Sequence, residues 1–348
     1  MKIAQIAPLI ESVPPKFYGG TERVVSHLTE ELVREGHHVT LFASGDSQTA
    51  AELDAVIPSA LRLGSTVHDY LPYHLMMIDR VARRAEEFDI LHFHIDLVHL
   101  PVVRLLADKA IVTTLHGRLD LPELAAFYRV FPDVPLISIS DAQREPMPPV
   151  RWLGTVQHGL PPELHRFHGG PGEYLAFLGR ISPEKRPDKA IAIAERAGMP
   201  LKIAAKVDAA DQAYFENCIR PLLDSPWVEF IGEIGEARKE DFLGNARALL
   251  FPVDWPEPFG LVMIEAMACG TPVIAFARGA VPEVVEEGLT GFIVRDVEGA
   301  VAALERLDRL DRGRIRRRFE ERFTAQRMTK QYLSIYRRLL EEMCSVAA

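Results

Sequence analysis

The feature that most constrains this chain is a strand–helix alternation that runs twice. Short β-branched runs at residues 2–7, 38–43, 90–93, 110–115 and 135–138 are separated by longer stretches with helical spacing. Between the first two, Val24, Val25, Leu28, Leu32 and Val33 recur along one helix face, and Gly36 supplies a stop. Strand–helix–strand units of this kind build a parallel, doubly wound sheet. The series breaks at residues 158–172, a stretch of Gly, Pro and His without periodicity that suits an interdomain linker. It then resumes at 173–178, 201–205, 228–231, 248–251 and 272–275. Beyond residue 296 the pattern is helical only and ends in an amphipathic stretch at 325–343. A chain of 348 residues suits two domains. The expected architecture is α/β, with domains at 1–160 and 161–324 and a last segment at 325–348. Two such domains imply a cleft, with ligands outside the carboxyl ends of the strands.

Charge narrows the function classes. With 40 basic and 49 acidic residues the net charge is −9, which argues against a nucleic-acid surface. The basic cluster 312–318 is followed by Glu320 and Glu321 and reads as a solvated, salt-bridged helix face. Cys218, Cys269 and Cys344 lack metal-ligand spacing and suggest reduced thiols in the cytoplasm. Residues 1–7 are too short an apolar run for a signal peptide, and no run spans a membrane, so only peripheral attachment to its inner face is compatible.

Several chemistries lose ground because their motifs are missing. The first strand leads into Pro8-Leu9-Ile10-Glu11, not a glycine-rich dinucleotide loop, and P-loop, nucleophile-elbow and His-Glu-x-x-His patterns do not occur. The most telling segment runs from Asp254 to Glu265. Three prolines make residues 252–258 a loop, so a helix should start near Phe259-Gly260. The first N–H groups there, around Phe259, Gly260 and Leu261, lack intrahelical partners and suit a phosphate. Glu257 and Glu265 would repel a bare phosphate but could accept hydrogen bonds from a sugar and a ribose attached to it. A plain surface helix is the competing reading.

A second cluster, Gly179-Arg180-Ile181-Ser182-Pro183-Glu184-Lys185-Arg186, follows the strand at 173–178. Arg180 can grip a diphosphate bidentately and Lys185 can add a point charge, against the alternative of a solvated loop paired with Glu184. Gly19-Gly20 opens the first helix and allows close backbone approach. His92, His94, His99 and His116 gather near two strand exits, and alternation puts His92 and His94 on one face. A zinc set from His92, His94 and Asp96 lacks a fourth ligand, so no metal is expected.

Together these residues resemble the retaining glycosyltransferases of family 4 over essentially the whole chain. The resemblance rests on Gly19-Gly20, on Thr113-Thr114-Leu115-His116-Gly117, on Gly179-Arg180 with Lys185, and on Glu257 through Glu265 running into Glu-Ala-Met-Ala-Cys-Gly-Thr-Pro. It implies a GT-B fold: two Rossmann-like domains facing a cleft, an acceptor domain and a nucleotide-sugar donor domain, with the last helix crossing back to the first. It implies a metal-independent hexosyltransferase without cofactor, moving sugar from a UDP- or GDP-sugar to a hydroxyl acceptor that is a saccharide, lipid-linked or small molecule. Glu257 would contact the sugar, Glu265 the ribose, Arg180 and Lys185 the diphosphate. His116 would face the sugar and Gly20 the phosphates. Three departures stand out: Arg186 and the Ala204-Ala205-Lys206 exit replace glycines, and His158-Gly159 replaces Asn-Gly, making Lys206 a further candidate contact. Competing expectations are a GT-B phosphorylase or nucleotide-sugar epimerase, and a non-catalytic nucleotide-sugar binding protein.

Overall fold

The computed structural model describes residues 1–62, 67–106 and 109–347, with side chains to 345. Its contacts divide the chain into unit 1, Met1–Pro161 with Ala325–Ala348, and unit 2, Pro162–Thr324. Each unit is a wholly parallel sheet flanked by helices.

Unit 1 holds seven strands: β1 Lys2–Ile6, β2 His38–Ser44, β3 Glu52–Ile57, β4 Ile90–Phe93, β5 Ala110–Thr114, β6 Leu136–Ser138 and β7 Trp152–Thr155. Their order, β3-β2-β1-β4-β5-β6-β7, reverses direction between β1 and β4. Gln5 on β1 stands in register with His92 on β4. Parallel strands covered on both faces should be apolar throughout, and β1, β4 and β5 are buried almost end to end. The helix Gly20–Arg34 starts at Gly19, where a side chain would strike Pro15 at 2.7 Å, so the close packing of that turn requires glycine. The final helix, Ala325–Ala347, packs on the first helix and against β5. It buries Met328, Tyr332, Ile335, Tyr336 and Leu339, a stripe at helical spacing.

Unit 2 holds β8 Tyr174–Ile181, β9 Leu201–Val207, β10 Val228–Gly232, β11 Ala246–Phe251, β12 Val273–Phe276 and β13 Gly291–Val294. Their order, β10-β9-β8-β11-β12-β13, reverses between β8 and β11. Leu175, Phe177, Ile203, Leu250 and Ile274 centre the core on one sheet face.

Three strands escape the alternation read from the sequence: β3, β7 and β13. All are sheet edges. An edge strand has one paired side and mixed burial, so Glu-Leu-Asp-Ala-Val-Ile and Trp-Leu-Gly-Thr carry no apolar run. The basic cluster also differs from expectation. Arg312 and Arg316 face inward and donate to carbonyls: Arg312 to His168, Ala246 and Gly244, with the Thr271 hydroxyl, and Arg316 to His165, Ala268 and Pro162. A guanidinium has five N–H donors in a fork, enough to satisfy several loop and helix-end carbonyls at once. The salt-bridged part of that expectation holds: Arg316 pairs with Glu320 at 2.7 Å, Arg318 with Glu321 and Glu286, and Arg322 with Glu286.

Candidate functional site

Ligands of doubly wound sheets bind where strand order reverses, because the adjacent loops leave in opposite directions there. In unit 2 that point lies between β8 and β11, and the segments leaving these two strands carry Lys185 and Glu257. The two side chains form an ion pair, Lys185 Nζ to Glu257 Oε2, and both are largely buried. The Trp255 indole donates to the same carboxylate oxygen at 2.9 Å, and its ring lies 4.9 Å from the Lys185 ammonium. Two backbone hydrogen bonds hold the loop: Asp254 N to Glu184 O at 2.9 Å and Ala280 N to Glu257 O at 2.9 Å. Gly279 is required beside it. Its φ is +51°, and a Cβ there would meet the Glu257 backbone at 2.4 Å.

The helix after this loop spans Leu261–Ala268, with Gly260 as its N-cap at φ +82° and Phe259 buried before it. Its start is thus one residue beyond Gly260, and the Gly260 carbonyl accepts from Met263 N at 3.0 Å. Glu265, in the second turn, is buried and accepts from Lys239 Nζ at 2.6 Å. Lys239 lies on the helix Glu236–Gly244, and no sequence pattern marked it as the partner of Glu265. His165, Glu236 and Glu265 have the spacing of metal ligands, as do His168, Glu240 and Asp241. In the first set the Lys239 ammonium already supplies positive charge, 2.6 Å from Glu265 and 3.4 Å from Glu236.

Arg180 and Lys206 are placed differently from the loops expected for them. Both lie within strands, in register on β8 and β9. Like charges side by side repel, and carboxylates offset this. Arg180 donates to Glu184 at 2.6 Å, with Asp208 and Asp211 at 3.7 and 3.8 Å, while Lys206 pairs with Asp208 at 3.0 Å. The Glu184 partner that the sequence offered is present, but on a strand and not in a solvated loop. Burial resists ionisation of Glu184, but its hydrogen bonds and Arg180 prevail and lower its pKa. Asp211 is raised instead, by burial and by Glu184 and Asp208, which outweigh Arg180. Arg186 stands at φ +54°, a left-handed position that favours glycine. Its guanidinium is held by Asp188 at 2.8 Å and Asp254 at 3.1 Å.

At the switch point of unit 1, between β1 and β4, the histidines form a neutral network beside two carboxylates: Glu11, buried and paired with Arg62, and Asp96, which burial pushes up to about 6. His92 on β4 and His94, one residue beyond its end, have their rings 3.9 Å apart, on one side as alternation implied. All four of their ring nitrogens are hydrogen-bonded: His92 to Tyr336 and Thr114, His94 to Gln5 and His116. This leaves them unsuited to the zinc set with Asp96. Burial pushes the pKa of both far down, and that of His116 to about 3. His116, just beyond β5, stacks on His158 with ring centres 5.3 Å apart. Its backbone N–H points to Asp96 Oδ1 at 3.4 Å. His99 is apart from this group, stacked on Phe93 and bonded to Thr113. No helix among the described residues is long and apolar enough to cross a membrane.

Known proteins show the same design. Residues 165–324 match the model for glycosyl transferases group 1, and residues 18–153 match that for glycosyltransferase family 4. N-acetyl-alpha-D-glucosaminyl L-malate synthase of Bacillus anthracis is 27% identical over 372 residues, covering 93% of this chain and 95% of that protein. Among solved structures, sucrose-phosphate synthase of Thermosynechococcus elongatus has a TM-score of 0.81 at 20% identity, over 98% of this chain and 99% of the other. HepE of Anabaena, solved with UDP and glucose, has a TM-score of 0.74 at 19% identity, over 96% and 98%. The solved structures establish the GT-B fold, two Rossmann-like sheets in one chain. The family models go further: this chain belongs to glycosyltransferase family 4 and is a sugar-transferring enzyme.

Proposed function

We propose that this protein is a retaining, metal-independent hexosyltransferase that uses a nucleotide diphosphate sugar and a hydroxyl acceptor. The observation that carries this reading is the buried Lys185–Glu257 pair at the switch point of unit 2. Glu257 is a carboxylate pre-oriented by two donors, suited to accept further hydrogen bonds from sugar hydroxyls. Lys185 places a cation where negative charge grows on a departing diphosphate. Glu265 serves the ribose, and Lys239 fixes its orientation without exhausting its lone pairs. Arg180 serves the diphosphate by exchanging a carboxylate partner for phosphate, with Lys206 and the backbone around Gly260 and Leu261 as further contacts. In unit 1, His116 faces the sugar and Gly19-Gly20 the phosphate groups.

The reaction balances without a cofactor. The acceptor oxygen bonds to the anomeric carbon on the face from which the diphosphate leaves. The carbon–oxygen bond to the diphosphate breaks with its electron pair on oxygen, and the acceptor's proton passes to that oxygen. HepE binding UDP and glucose supports a nucleotide-sugar donor for this chain.

The test is a panel of UDP- and GDP-sugars with saccharide, lipid-linked and small hydroxyl acceptors, in EDTA. Acceptor-dependent nucleotide release, with an unchanged anomeric configuration in the product by NMR, is the expected result. Binding without release under any acceptor would make this a binding protein. Turnover requiring inorganic phosphate would mark a phosphorylase, and sugar inversion without release an epimerase.

A further inference from the structure

Seven side chains of unit 1 form one hydrogen-bonded series whose proton positions can be solved. At one end the Thr114 hydroxyl donates to Tyr332 Oη at 3.2 Å. A hydroxyl has one proton, so its contact with His92 Nε2 at 2.7 Å must be donated by the imidazole. His92 is neutral, because burial holds its pKa far below the usual value. Its Nδ1 is therefore an acceptor, and Tyr336 donates to it at 2.6 Å. Tyr336 Oη, its proton so used, accepts from Gln5 Nε2 at 3.3 Å. The other end of that amide, Gln5 Oε1, accepts from His94 Nε2 at 2.7 Å. His94 is also neutral, so its Nδ1 accepts from His116 Nε2 at 2.8 Å.

The last member is thereby determined. His116 carries its proton on Nε2, and its Nδ1 is a lone pair. That atom is buried and meets no hydrogen-bond partner among the described residues, although the ring as a whole is partly exposed. An unsatisfied buried acceptor is costly, and in native proteins it points to strain or function.

We propose that Tyr332 and Tyr336 of the final helix, acting through Thr114, His92, Gln5 and His94, are positioning residues that hold His116 as the Nε2–H tautomer, so that Nδ1 offers a bound saccharide hydroxyl only an acceptor. The role in sugar binding rests on the function proposed above; the tautomer does not. His116 accepts at Nδ1 and cannot act as a general acid, since its proton points inward to His94.

The series makes an unusual prediction for one buried methyl. Thr114→Val removes the acceptor for His92 Nε2. His92 then gains by protonating Nδ1 and donating to Tyr336, which in turn donates to Gln5. The Gln5 amide flips, His94 donates from Nδ1, and His116 must carry its proton on Nδ1. Thr114→Ser keeps a hydroxyl and leaves every proton in place.

The experiment is long-range proton–nitrogen NMR of the 15N-histidine-labelled full chain, with His116 assigned from its loss in His116→Asn. The expected wild-type result is an unprotonated Nδ1 on His116, inverted by Thr114→Val and retained by Thr114→Ser. Protonated Nδ1 in the wild type, which needs no variant to fold, overturns the proposal, as does an unchanged His116 in Thr114→Val. With an active donor–acceptor pair, Thr114→Val should lower kcat/KM about tenfold, the scale of one lost hydrogen bond, and Thr114→Ser should restore it. An unchanged kcat/KM removes the saccharide role. The spectra need no substrate, so failure to find any transferase activity would count against the proposed function and leave the tautomer result standing.

Discussion

At the switch point of unit 2 the polar groups are charged and paired, whereas at that of unit 1 the centre is a set of neutral, hydrogen-bonded side chains, with the Glu11–Arg62 pair and Asp96 beside it. The sheets are alike, so the difference comes from what the strand ends carry. Unit 2 places Lys185 on Glu257, Lys239 on Glu265 and Arg180 on Glu184, each charge answered by another. Burying any of these charges alone would be costly, so pairing is the condition for keeping them inside the unit. Unit 1 buries imidazoles, an amide and phenols, which need only hydrogen-bond partners. A charge-rich site suits a leaving group that gains charge. A neutral, proton-ordered site suits hydroxyl groups, whose recognition depends on direction.

The comparison can be broken at its strongest point by Glu257→Gln, which should lower turnover on the order of 1000-fold, because it removes the carboxylate that pairs with Lys185 and, in the function proposed above, orients the sugar. Steady-state transfer kinetics measure this, and a loss of less than twofold would defeat the charged-site reading. Glu265→Gln should instead weaken nucleotide binding about tenfold with kcat nearly kept, read by calorimetry with UDP and GDP.

Next in size is a stability effect that separates Arg312 from Arg180. Arg312→Ala strands four acceptors in unit 2 and should cost about 3 kcal/mol in urea unfolding. Arg180→Ala and Lys185→Ala should each lower kcat/KM roughly 100-fold with little change in stability. If Arg180→Ala lowers stability as much as Arg312→Ala, its carboxylate partners make it structural as well.

A pH series sharpens the neutral side. His99 and His116 are lowered by burial to about 3, against an ordinary value of 6.5. Their folded form is neutral, so the unfolded chain binds more protons between these values. Stability is therefore full above pH 6.5 and falls as pH drops toward 3. Each such histidine should cost about 1 kcal/mol between pH 7 and pH 5.5, followed by chemical denaturation. A flat profile would mean that these rings are charged in the folded state. The smallest effect is expected for Arg186→Gly. Relief of the left-handed backbone offsets the loss of two ion pairs, so stability should change by less than about 1 kcal/mol and turnover hardly at all.

Much of this was legible in the chain. Alternation located ten of the strands now seen, because buried parallel strands must be apolar and the helices between them must be amphipathic. Three prolines and Gly260 marked the loop and helix start that carry Glu257 and Glu265. The edge strands β3 and β7 were not legible, since half-exposed segments lose the apolar run; exposure does not explain the miss at β13, which is apolar and largely buried. Arg180 and Lys206 read as loop residues because each interrupts its apolar run one residue before the strand ends, at Ile181 and Val207. Nor did the inward turn of Arg312 and Arg316 show, since a run of arginines looks the same whether it faces water or carbonyls.

What the amino-acid sequence determined by itself was therefore the architecture and the identity of the charged groups, because both follow from local periodicity and from residues close together in the chain. The tertiary structure alone decided which charge answers which, and where the protons of unit 1 reside. Lys185 and Glu257 are 72 positions apart, and Gln5 and Tyr336 are 331 apart. Ion pairs and tautomers are settled by distance and desolvation, and neither exists until the sheets close around them.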